Sequence, residues 1–109
     1  MNNLKNEILK EANNEKIEVI VIGEIEIDEF VRKYVPYHCY TNYPKFKVLT
    51  WEEAEKYLDY EYLDGIFDCH SFTAWTKSKV IFTSQYDGNI TICSLPRNPV
   101  NHIPFKPGG

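Results

Sequence analysis

KVIFTSQYDGNITICSLP, residues 79–96, constrains the fold more than any other stretch. Two runs rich in β-branched and aromatic residues flank Asp87-Gly88, a pair that tolerates the positive φ of a tight hairpin turn. The stretch therefore predicts an antiparallel hairpin. A third run precedes it. In DCHSFTAWT, His70, Phe72 and Ala74 alternate with Cys69, Ser71, Thr73 and Trp75, the period-two pattern of a strand. The link KSK turns the chain between them, so the C-terminal half reads as a meander.

The N-terminal half supplies the helices. Asn2 and Asn3 are suitable caps for a first helix. Leu4, Ile8, Leu9 and Ala12 recur at helical spacing, and the pattern stops near Asn13-Asn14. Thr50 with Glu53 three residues later forms a capping box. It opens a second helix over 50–58 with Trp51, Ala54, Tyr57 and Leu58 as the buried stripe. Between them lies KIEVIVI, a β-branched strand with Ile17, Val19 and Val21 on one face and Glu18 and Ile20 on the other. Gly23 marks a bulge or bend. EFVRKYV is open to either a short helix or more strand. Residues 36–49, with two prolines and three tyrosines, read as an irregular aromatic-walled loop. The expected architecture is α+β: an antiparallel meander sheet with two helices packed on it, in a single ligand-binding domain spanning 1–109.

Charge and cysteine content narrow the function. A net charge of −4 argues against DNA binding, which needs clustered cations. No run approaches the roughly 20 apolar residues of a membrane span. MNNLKNEILKEANNEK lacks the basic start and apolar run of a signal peptide, so a cytosolic location is expected. Three widely spaced cysteines without a CxxC pattern are expected to be reduced. The neighbours His38-Cys39 and Cys69-His70 fall short of the four-ligand pattern of structural zinc, and no metal or cofactor is expected.

Arg97, one of only two arginines against ten lysines, stands between Pro96 and Pro99. A guanidinium on a stiffened backbone is a fork of donors suited to phosphate. Asn98 can bond a base edge or a ribose, and Asp87 can take ribose hydroxyls. Phe82, Tyr86, Phe72 and Trp75 offer rings for a purine, and Arg32 heads a second basic group with Lys33, Lys45 and Lys47. His70 is a candidate acid–base group. Each residue also has a plain reading: Asp87 as turn former, Phe82 and Trp75 as core, Arg97 as a carbonyl cap. Together they point to nucleotide binding without catalysis. Two alternatives stay open: a small protein-binding inhibitor of a host enzyme, and a nucleotide-cleaving enzyme using His70.

The stretch DCHSFTAWTKSKVIFTSQYDGNITICSLPRNP, residues 68–99, combines an Asp-Cys dipeptide, an aromatic-Ala-Trp strand, a Tyr-Asp-Gly turn and a Pro-Arg-Asn-Pro exit. In this it resembles the bacteriophage anti-defence "sponge" family, the first type described, that counters Thoeris immunity. The resemblance implies a protein that sequesters cyclic ADP-ribose isomers without turnover. Some members also hold cyclic oligonucleotides of the related CBASS system at a separate site. It implies homo-oligomers, dimers or trimers of dimers, with pockets near subunit contacts. By analogy Arg97 meets the diphosphate with Asn98 close by, Phe82 or Phe72 stacks on adenine, and Arg32 is the second phosphate partner. The chain before residue 50 departs from the pattern.

Overall fold

A computed structural model describes residues 2–62, 69–86 and 89–106, with Tyr86 described in its backbone only. A two-residue strand, β1 (Asn2–Asn3), leads into helix α1 (Leu4–Ala12). The Asn3 side chain accepts a hydrogen bond from the Asn6 N–H, and Asn13 ends the helix at φ 51°. A left-handed residue there is a common helix stop that asparagine tolerates. Strand β2 (Val19–Ile22) follows. Helix α2 (Glu29–Tyr34) resolves the ambiguity at EFVRKYV, because Asp28 caps it by accepting from the Val31 N–H at 2.9 Å.

The stretch 36–49 is more ordered than its sequence indicates. It holds a one-turn helix α3 (Tyr37–Tyr40) and an edge strand β3 (Val48–Leu49). Helix α4 (Trp51–Leu58) carries the complete capping box: Thr50 accepts from the Glu53 N–H, and the Glu53 carboxylate accepts from the Thr50 N–H. Short β4 (Glu61–Tyr62) pairs with β1, tying the start of the chain to the end of α4. Then come β5 (Phe72–Trp75), β6 (Lys79–Tyr86) and β7 (Asn89–Pro96).

The main sheet is antiparallel throughout, in the order β3-β2-β5-β6-β7. The expected meander is β5-β6-β7, and β2 joins it through the register Ile20↔Ala74. The two expected helices are α1 and α4, packed against the sheet, and α2 and α3 join them among the described residues. Alternation then decides which side chains are buried. Ile20, Ile22, Phe72, Ala74 and Ile81 point at Leu4, Ile8, Ala12, Ala54 and Leu58, and all are buried. Val19, Val21, Thr73, Trp75, Val80 and Phe82 share the other face and are only half-buried. No helix among the described residues is long and apolar enough to cross a membrane.

Gly23 sits where β2 runs on past its end, its N–H donating to the Ser71 carbonyl at 2.7 Å. A Cβ here would lie 2.2 Å from the Ser71 hydroxyl. Gly23 thus leaves room for the Ser71 hydroxyl, which a larger residue would force aside, with the Ser71 carbonyl 3.2 Å from the same point.

Candidate functional site

The sequence-based candidates separate into three environments. At one end of the sheet, the turn between β5 and β6 meets the exit of β7. Register does this: Lys79 pairs with Pro96 and Ile81 with Ser94, so Ser78, Ser94 and Asn98 converge. They line a cleft of about 690 Å³ together with Glu15, Lys77, Lys79, Leu95, Pro96 and Val100.

Two carboxylates fix the turn that forms the cleft wall. Glu15 accepts from the Thr76 hydroxyl at 2.6 Å, from the Ser78 hydroxyl at 2.6 Å and from the Ser78 N–H at 3.2 Å. These bonds, that of the Ser78 side chain foremost, hold its carboxyl below the usual carboxylate range. Glu18 pairs with Nη1 of Arg97, and the same nitrogen donates to the Thr76 carbonyl at 3.0 Å. The Arg97 N–H donates to the Ser78 carbonyl at 2.8 Å. Arg97 is thus bound into a clamp on residues 76–78. Its side chain stays 42% exposed, and Pro96 and Asn98 on either side both line the cleft. The expectation of a guanidinium awaiting an anion needs correcting here, since Nη1 already has a carboxylate and a carbonyl. Both of these guanidinium contacts run through that nitrogen.

The cations of the cleft are Lys77, exposed on the turn, and Lys79, whose Nζ donates to the Glu11 carbonyl at 3.0 Å. The sequence reading missed both, along with Ser78, Ser94 and Glu15. KSK is legible as a turn, but its partner Glu15 lies 61 and 63 residues away from Thr76 and Ser78.

Phe82 belongs to the second environment, the open face of the sheet. Its ring meets Phe105 edge-on, centroids 5.8 Å apart. With Val21, Gly23, Ser71, Phe72, Thr73 and Thr83 it lines a groove of about 280 Å³. Phe72 is otherwise a core residue, only 4% exposed. Stacking on a purine is corrected for Phe72, because strand alternation turns its ring toward the helices. Arg32, in the last turn of α2, is exposed and does not line the cleft. Tyr86 ends β6, and Asp87 lies outside the described residues.

His70 occupies the third environment and is also corrected. It has no exposed surface, so it cannot meet a ligand. The Tyr60 hydroxyl accepts from the His70 backbone N–H at 2.8 Å and lies 2.7 Å from Nδ1. The Tyr43 ring closes over it edge-on at 4.7 Å. Nε2 on the far side of the ring has no well-formed hydrogen bond. Burial pushes the imidazole down to about 4, with the Cys39 backbone opposing, so His70 is neutral near pH 7. The thiols are similarly quiet. Burial, with Asp59 adding to it, pushes Cys39 up to about 11, and burial raises Cys93, with Glu11 in the same sense. Among the described residues no group of three His, Cys, Asp or Glu side chains converges as a metal site.

Fold and cleft together define a small α+β protein with a mixed polar and apolar cavity at a strand-end turn. No family model matches the chain, and neither the curated proteins nor the solved structures contain a match.

Proposed function

We propose that this protein is a non-catalytic binder that sequesters a cyclic ADP-ribose-type signalling nucleotide, acting as an anti-defence protein in the cytoplasm of a phage-infected bacterium. One observation carries the reading: the cleft of about 690 Å³ between the 76–79 turn and the exit of β7. Its size is that of a cavity for a small organic ligand. Its walls supply what a nucleotide needs: two ammonium groups and two serine hydroxyls for a diphosphate, the Asn98 amide for a base edge or ribose, and the apolar surfaces of Leu95, Pro96 and Val100 for a ring. The resemblance of residues 68–99 to the sponge family supports the same ligand class. The Glu15 and Arg97 bonds hold the turn in place before any ligand arrives, which lowers the ordering cost of binding.

The test is calorimetric titration with cyclic ADP-ribose isomers, cyclic dinucleotides being the parallel titrant. The double variant Lys77→Ala/Lys79→Ala should bind at least about tenfold more weakly, about 1.4 kcal/mol, with its circular dichroism unchanged. Ligand recovered after heat denaturation should be intact by mass spectrometry. Equal affinity of the variant would remove the cleft as the site, and a cleaved product would replace sequestration with catalysis.

A further inference from the structure

Beyond Arg97 the chain leaves the sheet. Among the described residues no hydrogen bond joins 98–106 to the rest of the molecule, and the His102 ring meets the carbonyl of its own neighbour Ile103 at 3.1 Å. Two points hold the segment. Asn98 and Val100 form part of the cleft wall, and Phe105 rests edge-on against Phe82, centroids 5.8 Å apart. Lys79, another residue of that wall, and Phe82 are three positions apart on β6, about 10 Å. The five steps from Val100 to Phe105 can span about 17 Å. The segment therefore has slack, and it bows into solvent: Ile103 is 93% exposed although it stands between two anchored points. Pro99 and Pro104 fix φ at either end, so the freedom to turn is confined to residues 100–103.

We propose that residues 100–103 are a strap that closes over the cleft when a nucleotide occupies it, with Ile103 as the side chain that seals the mouth. Closure of this kind rests on the nucleotide reading above and adds to it the side chain that retains the ligand. Three residues on from Val100 reach about 10 Å, and a sphere of the cleft's volume, about 690 Å³, is roughly 11 Å across, so Ile103 covers most of the mouth without undocking Phe105. Leu95, Pro96 and Val100 already make one side of the wall apolar. Ile103 extends that side over the ligand and leaves water as it does so. In the empty protein, closing orders the strap's backbone with little for Ile103 to cover, so conformational entropy keeps it open. A bound ring supplies the missing surface. Capture then has two steps, entry into an open cleft and retention under a closed strap. Retention is what sequestration needs, and it is set by the rate of release.

The experiment is hydrogen exchange by mass spectrometry on the full chain, with and without a saturating cyclic ADP-ribose isomer. Without the isomer, the amides of residues 100–103 should exchange as fast as those of an unstructured peptide; with it, they should slow at least about tenfold. Ile103→Asp gives the second readout. Its side chain lies in solvent in the ligand-free protein, so the ligand-free Tm should match that of wild type. Stopped-flow binding should show release at least about tenfold faster, with association within about twofold of wild type. Binding that leaves the amides unprotected, or leaves the variant's release rate unchanged, overturns the strap and keeps the cleft as the site. A lowered ligand-free Tm for the variant also overturns the strap, because Ile103 would then already be packed in the open state. A wild type that binds none of the isomers overturns the nucleotide reading, and the strap falls with it.

Discussion

His70 shows how one buried ring ties stability to pH. Its pKa lies near 4 in the folded protein and near 6.5 in an exposed state, because burial disfavours the imidazolium. The unfolded chain therefore takes up a proton before the folded one does. Stability is complete above pH 6.5 and is lost as pH falls from 6.5 toward about 4. The full shift is worth about 3 kcal/mol. Glu15 and Glu53, both held below their ordinary 4.5, lose stabilising bonds only at the acid end, so the upper part of the window isolates the histidine. Urea unfolding across that window should show wild-type stability falling with pH while His70→Gln stays flat. Parallel slopes for the two proteins would show that His70 is not the group responsible. In the sequence His70 invites a catalytic reading, because period-two alternation places it with Phe72 and Ala74 without saying which face is inside. Packing decides that, and it put the imidazole in the core beside Tyr60 and Tyr43.

At the scale of elements, what the sequence states locally is what the structure contains. The Asn3 cap, the Asn13 stop, the Thr50–Glu53 box and the three strands of the meander are all local signals, and each is present. What stayed hidden depends on residues far apart. β3 exists because Val48 and Leu49 find Val21 and Ile20, and the cleft exists because the exit of β7 meets the turn before β6. Asn98 was legible beside its prolines; Lys77, Lys79 and Glu15 were not, since nothing near them in the chain marks a cavity. The capping box permits a direct measurement. Thr50→Ala removes the acceptor for the Glu53 N–H and should cost about 1 kcal/mol, while Thr50→Ser keeps the oxygen and most of the stability. Chemical denaturation reads both. Equal midpoints for the alanine and serine variants would mean that tertiary contacts alone hold the start of α4.

The whole molecule is a one-sided sandwich: helices cover one face of the sheet, and the other carries half-buried Val19, Val21, Trp75, Val80 and Phe82. The C-terminal segment crosses from the cleft, where Asn98 and Val100 form part of the wall, to Phe82, where Phe105 rests edge-on. Between those points it is exposed, with Ile103 at 93%, while Phe105 falls to 40%. Ordering such a segment costs conformational entropy that one aromatic contact must offset. An edge-to-face pair contributes about 0.5–1.5 kcal/mol beyond the area it buries. Phe105→Ala should therefore lower stability by about 1 kcal/mol, a drop of roughly 4–8 °C in Tm for a domain near this size. It should also shift Trp75 emission to the red, because Trp75 shares the uncovered face; a Trp51→Phe background removes the only other tryptophan. Ligand affinity gives the second readout. If Val100 keeps its place in the cleft wall only while Phe105 is docked, the variant weakens nucleotide binding as well as the fold. An unchanged Tm, emission and affinity would show that the segment rests on the sheet without contributing to it.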